Sequence, residues 1–220
     1  MRHFRVACRS IDRNIRDTSC FSKFMSRSGS RTYRMTKRAD LQAGTRQRIV
    51  DAAIELHRTI GPAATTMTDI AEKAGIGRVT LYRHFADEMA LSRACSGHYM
   101  TVNPLPVLIA PNARGSPLKL LRAGLQAAYA YHRANEAMFG HVMADARDHP
   151  VMAPYHAHWQ QQAEALAALF SRSRVDHLVA GIGLAVTFDT WQMLARRQGL
   201  SDSEAAELMS RLACPCAGAD

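Results

Sequence analysis

Thr66-Met67-Thr68-Asp69-Ile70-Ala71-Glu72-Lys73-Ala74-Gly75-Ile76-Gly77-Arg78-Val79-Thr80-Leu81-Tyr82-Arg83-His84-Phe85 is the stretch whose reading decides the fold. Thr66 stands where a hydroxyl caps the orphan amides of a helix start, and Asp69 lies three residues on, where an acid completes the outline of a capping pattern. Met67, Ile70, Ala71 and Ala74 then give the helix one apolar face. Gly75-Ile76-Gly77 interrupts it with a turn whose glycines tolerate unusual backbone angles. A second, short helix runs from about residue 78 to residue 85. Two helices joined by a tight glycine-containing turn form the unit whose second member enters a DNA major groove.

Toward the N-terminus, Ile49, Ala52, Ala53 and Leu56 recur at helical spacing behind Thr45, read as an N-cap, and Gly61-Pro62 ends that helix. Residues 1–44 interleave arginine with serine and show no steady apolar period, so a basic arm without fixed fold is expected there. The same composition suits a mitochondrial transit peptide, and Met25 or Met35 offers an alternative start; a flexible arm touching DNA is the remaining reading.

The net charge of +9 changes meaning once it is divided along the chain. Residues 1–45 hold eleven Lys and Arg against three acids, whereas residues 46–220 hold seventeen against sixteen. Most of the basicity is therefore a tail. With 220 residues, 47% of them hydrophobic, a wholly disordered chain is excluded. The longest apolar candidate, 175–194, contains Asp176, His177 and Asp189 and is a poor membrane span. Five cysteines, odd in number and unevenly spread, do not read as a disulfide framework, so a reducing cytoplasm is the expected setting.

Beyond the head the reading is all-α. Asp87 caps a fourth helix to about residue 100, and 103–117, with four of the eight prolines, is a loop. Leu118, Leu121, Leu125, Ala128, Tyr129 and His132 share a face; Phe139 and Met143 mark the next helix; Tyr155, Trp159, Ala163, Leu166 and Phe170 mark another. One helix over 175–194 places Val175, Leu178, Val179, Ile182, Val186 and Met193 on one side and Leu184, Phe188 and Trp191 on the other. Ser201-Asp202-Ser203-Glu204 caps a last helix with a stripe of Ala205, Leu208, Met209 and Leu212. Helices at about 174–198 and 201–213 with two apolar sides fit a homodimer built on an isologous four-helix contact. The expected organisation is thus an arm at 1–44, a three-helix DNA-binding head at 45–91, and a larger helical domain at 92–220 whose last helices serve dimerisation.

At Gln47-Arg48-Ile49-Val50-Asp51-Ala52-Ala53, at 66–76, and at Val79-Thr80-Leu81-Tyr82-Arg83-His84-Phe85, the sequence resembles the TetR family of bacterial transcriptional regulators. The resemblance covers about 45 residues as three ordered blocks, and the rest in helical layout only. It implies a dimer whose two heads bind a palindromic operator in double-stranded DNA, with a C-terminal domain that takes a small molecule and releases the DNA. In a helix barely two turns long, only the N-terminal residues reach base edges. Arg78 is the bidentate donor for guanine, and Val79 and the Thr80 methyl suit a thymine methyl. Thr66, Thr68, Tyr82 and His84 look by resemblance like phosphate or groove contacts, while Leu81 and Phe85 are expected in the core. Two departures stand out: Gly77 replaces a common hydroxyl cap, and Glu88 replaces a common lysine. Segment 46–91 balances six basic residues against six acidic ones, so the arm, with Lys37, Arg38, Arg46 and Arg48, is the expected source of phosphate attraction.

The family layout also places Tyr129, His132, Phe139, Met143, Tyr155 and Trp159 around a ligand cavity suited to a small, mainly apolar or aromatic effector, although the same residues serve equally as packing. Nothing in the sequence asks for a cofactor or a structural metal. The rival class is a metal-dependent helical hydrolase around His141, Asp145 and His156, with metal sensing at His141, Asp145, His156 and His158 and redox control at Cys95 or Cys214-Pro215-Cys216 as weaker readings.

Overall fold

The computed structural model describes the backbone of residues 19–170 and 175–213, and the side chains of 36–170 and 177–213. Among the described residues every regular element is helical. The chain divides into two compact units, 1–45 and 46–220. Helix α1 is Ser19–Thr59, so the unfolded arm expected over 1–44 is helix from residue 19 onward, and residues 1–18 lie outside the described part. Thr45 is no cap, because its hydroxyl donates to Leu41 O one turn back (2.9 Å) inside the helix. The physical reason is propagation. Once a nucleus exists, extending a helix through good formers such as Arg34, Met35, Lys37, Arg38, Ala39, Leu41 and Gln42 costs little, and no proline stands between residues 19 and 59 to stop it.

In the second unit, residues 46–59 of α1 join α2 (Met67–Lys73), α3 (Arg78–His84) and the start of α4 (Glu88–Val102) around a small core. Ile49, Ala53, Leu81 and Phe85 are its most deeply buried members. The Thr66 capping box is complete: Asp69 N–H donates to Thr66 Oγ1 (3.2 Å) and Thr66 N–H donates to Asp69 Oδ2 (2.9 Å). Gly75, at φ +67°, makes the turn into α3. Asp87 accepts from Ala90 N–H (2.7 Å) and opens α4 as the sequence requires. Leu91 and Cys95 of α4 belong to the head's core, while Tyr99 and Met100 near its end pack on the larger one.

That larger core is built by α5 (Pro117–Ala134), α6 (Glu136–Asp145), a 3-10 turn at Pro150–Met152, α7 (Ala153–Ala167), α8 (Val175–Ala185), α9 (Phe188–Gln192) with a π turn at Met193–Arg197, and α10 (Asp202–Ala213). The single helix expected over 175–194 is two, bent by 55°. Thr187 is the cause, since it adopts an extended ψ of 151° and its hydroxyl accepts from Thr190 N–H (3.2 Å) as the N-cap of α9. The bend reassigns the faces. Ile182, Val186, Phe188 and Trp191 all turn inward, whereas Leu184 and Met193 are exposed, which a straight helix forbids. Among the described residues no single helix is long and apolar enough to cross a membrane.

Candidate functional site

Helix α3 presents its first turn to solvent. Leu81 and Phe85 anchor its inner side, and Arg46 lies 4.3 Å above the Phe85 ring, so the helix is held from beneath. Arg78 is exposed, Val79 is 83% exposed, and Thr80 is half-buried beside them. The Arg78 guanidinium sits 5.6 Å over the ring of Tyr82, one turn on and 39% exposed, which pre-orients a planar donor fork without consuming its N–H groups. Thr68 is exposed on α2, and His84 is half-buried at the end of α3. Thr66 differs from these, because its hydroxyl donates to Asp69 Oδ2 (2.7 Å) and thereby holds that carboxyl below its ordinary pKa. Its local work is to cap α2. Gly77 caps α3 without any side-chain hydrogen bond, so the backbone at the tip of α3 carries no competing hydroxyl.

The six residues read as a ligand wall, Tyr129, His132, Phe139, Met143, Tyr155 and Trp159, are all buried and form one aromatic cluster. Ring centroids of His132 and Trp159 are 4.9 Å apart, as are those of Phe139 and Tyr155. Within the cluster the roles divide. Tyr129 O–H donates to Ala185 O (2.9 Å) and His132 Nε2 lies 2.9 Å from Val186 O, so both tie α5 to the bend after α8. Burial pushes His132 down to about pKa 4, outweighing the carbonyl that favours its charged form. The ring is therefore neutral, protonated on the nitrogen facing the carbonyl, with a lone pair on Nδ1 that has no partner. Tyr155 Oη and Trp159 Nε1 are buried without partners as well. Trp159 approaches the Tyr155 oxygen closely enough to oppose the rise that burial imposes on the phenol's pKa, yet not in hydrogen-bonding geometry, so both atoms stay unpaired.

Two cavities adjoin this cluster. One, of about 360 Å³, is walled by Met143, Tyr155, Trp159, Val179 and Phe188, with the Arg147–Asp189 ion pair on its rim. The other, of about 310 Å³, lies between head and core against Ile54, Met67, Leu91, Met138, Phe139 and Met152. Three of the six residues thus face the first cavity, Phe139 faces the second, and Tyr129 and His132 serve the packing behind them.

The rival hydrolase constellation does not assemble. Asp145 Oδ2 accepts from Ala63 N–H (3.1 Å), and His156 Nε2 lies 3.0 Å from Arg147 O. His158 faces Pro106 O instead of joining His156. Among the described residues no three His, Cys, Asp or Glu side chains are placed to hold a metal ion. Burial pushes the Cys95 thiol up to about pKa 12, so it is an inert core group, and Cys214 and Cys216 lie outside the described residues. The Asp145 contact itself had no sequence signal. It joins α6 to the turn after α1 across 82 residues, and it depends on Gly61 at φ +87°, where an added Cβ would stand 2.5 Å from Asp145 Oδ2.

A short outward helix anchored on a three-helix head, joined through α4 to a helical core with two cavities, has the form of a helix-turn-helix head with a second helical domain. Residues 49–95 match the model of the bacterial regulatory proteins of the tetR family. No curated protein matches the chain. Among solved structures it is similar to a TetR-like transcriptional regulator from Rhodococcus sp. RHA1, with a TM-score of 0.57 and 20% identity over 77% of this chain and 93% of that one. It is also similar to the multidrug binding protein EbrR, solved in complex with imidazole, with a TM-score of 0.50 and 24% identity over 76% of this chain and 88% of the other. At such identities these likenesses concern the fold. The family match is that of the head, residues 49–95, and the rest of the chain shares a TetR-like fold.

Proposed function

We propose that the chain is a sequence-specific repressor that binds a palindromic operator as a homodimer in the cytoplasm and leaves it when a small, mainly apolar or aromatic effector enters the core. The observation that carries this reading is the leading turn of α3: an arginine on an aromatic shelf beside a valine that is 83% exposed. A methyl surface beside a guanidinium fork suits a thymine methyl beside a guanine edge. Arg78, Val79 and Thr80 read bases, Thr68, Tyr82 and His84 meet backbone or groove, and Thr66 fixes the α2 end that presents them.

The dimer reading is supported by Leu184, Met193, Leu208 and Leu212, large apolar side chains left exposed on α8, the π turn and α10. Release is supported by the Asp145–Ala63 contact, which links the far end of α6 to the head. A coupling of about 1–3 kcal/mol between effector and operator suffices for regulation.

The test is to expose the purified full chain to random duplex DNA at fixed salt and sequence what it retains. Two inverted half-sites centred about one helical turn, or a multiple of it, apart are expected. Retention of all duplexes equally would overturn the regulator reading in favour of non-specific DNA binding.

A further inference from the structure

We propose that the cavity between α1, α4 and α6 takes a protonated aromatic amine, whose ammonium N–H groups donate to Ser92, Ser96 and Glu88 while its ring lies among methionines. This rests on reading the chain as an effector-controlled regulator, and it gives that effector a place and a chemical class.

The cavity, of about 310 Å³, takes His57 from α1, Met67 from α2, Met138 and Phe139 from α6, and Met152 from the 3-10 turn. Glu88, Ser92 and Ser96 of α4 follow one another at four-residue spacing, so all three stand on one side of that helix and face the same space. Other polar groups here are already answered. Tyr99 O–H donates to Asn135 Oδ1 (2.7 Å), Thr65 Oγ1 donates to Gly61 O (2.7 Å), Asp145 Oδ2 accepts from Ala63 N–H (3.1 Å), and His149 Nδ1 accepts from Val151 N–H (3.2 Å). The side chains of Glu88, Ser92, Ser96 and His57 make no hydrogen bond or ion pair with any described residue. Glu88 is exposed and stands at the mouth, whereas Ser92, Ser96 and His57 are half-buried. The unpartnered atoms sealed from solvent belong to Arg122, His132, Tyr155 and Trp159, so those of the two serines and His57 open into accessible space.

What the four free groups share is the capacity to accept. A carboxylate accepts only, a serine hydroxyl carries two lone pairs, and a neutral imidazole keeps one. His57 is of the neutral kind, because burial holds its pKa below the ordinary value. No lysine or arginine is among the residues around the cavity, so an anion entering it finds no counter-ion, whereas a cation meets Glu88 and Asp145. An alkylammonium group brings three donors together with that charge. The three methionines adapt to a flat ring and favour sulfur-to-aromatic contact, and the volume holds one bicyclic ring with a short chain. Because its walls come from the head and from α6 alike, an occupant sits against the Asp145–Ala63 contact that joins them.

The experiment uses the full chain at neutral pH, where an alkylammonium is charged, and four probes titrated calorimetrically: naphthylethylamine, its trimethylated form, propylnaphthalene and naphthylpropionate. The amine is expected to saturate one site per chain. Its trimethylated form, which keeps the charge but loses the N–H donors, is expected to bind about fivefold more weakly, and the hydrocarbon and the carboxylate at least about tenfold more weakly. Replacing both serines, Ser92→Ala with Ser96→Ala, is expected to weaken the amine about tenfold and leave the trimethylated form and the hydrocarbon unchanged. The thermal midpoint of that variant stays level or rises, since alanine suits a helix better and the lost hydroxyls had no partner. Glu88→Gln is expected to weaken both cations about threefold. Naphthylpropionate binding as tightly as the amine, absence of saturable amine binding, or a double-serine variant that binds the amine as the parent does each overturns the proposal. The same preparation is assayed on selected operator DNA. Operator retention without amine binding overturns the ligand class alone, whereas loss of operator selectivity with amine binding intact strikes the regulator reading beneath it.

Discussion

The head and the core use polar side chains in opposite ways. Around α2 and α3 the groups that matter are exposed: Arg78, Thr68 and Tyr82 stand in water on a scaffold whose own core is a handful of residues such as Ile49, Leu81 and Phe85. In the core, His132, Tyr155 and Trp159 are buried to 5% exposure or less, each with a polar atom that nothing in the described protein satisfies. An exposed donor costs nothing while it waits for DNA, since water serves it meanwhile. A buried one costs free energy until a partner arrives, so it is retained only where packing tolerates the burden. The head thus keeps its polar groups in water, and the core keeps several of its own out of it.

The sharpest way to break that contrast is at the hydrogen bond that ties the turn after α1 to α6. Gly61→Ala forces a left-handed backbone on a residue with a Cβ and drives that atom into Asp145 Oδ2. A loss of about 3–4 kcal/mol is expected in denaturant unfolding, combining backbone strain with the displaced hydrogen bond. In the double variant with Asp145→Ala part of that loss returns, so the two changes are non-additive. Simple additivity would mean that the turn and α6 are not coupled.

A slightly smaller effect tests the buried side. His132 has a folded pKa near 4, below its unfolded value of about 6.5, so its contribution is present above pH 6.5 and is lost as the pH falls toward 4. The loss amounts to about 3 kcal/mol across that window. His132→Gln, which keeps an amide for Val186 O, is expected to flatten the pH dependence of unfolding there; an unaltered slope would move the titrating group elsewhere.

The exposed side predicts the converse. Arg78→Ala leaves unfolding within about 0.5 kcal/mol of the parent, as surface changes do, but removes about 2 kcal/mol of preference between operator and scrambled duplex at fixed salt. An operator preference that survives the substitution would take the reading role away from the front of α3.

Much of this was legible in advance, and unevenly so. Thr66 and Asp69, Asp87, and Ser201 with Glu204 announced helix starts because a cap is local chemistry, decided within four residues. Leu81 and Phe85, expected in the core from the family resemblance, are buried. The arm misled, because a lack of apolar periodicity argues against packing but not against a helix that propagates from a neighbouring stretch. Thr187 misled in the other direction, since a threonine inside an apolar run reads as a strong helix's minor flaw until its hydroxyl is seen capping a new one.

What the sequence determined by itself is the set of short-range decisions: where helices begin, which side of each is apolar, and that a seven-residue helix opens with Arg78-Val79-Thr80. Only the tertiary structure decided that Asp145 belongs to Ala63, that His132 is bound to a carbonyl at the bend, and that Tyr155 and Trp159 of α7 are buried in the aromatic cluster. The reason is range. Capping and periodicity act within a turn or two of chain, whereas a buried atom's partner, or its lack of one, is fixed by helices that meet from distant parts of the sequence.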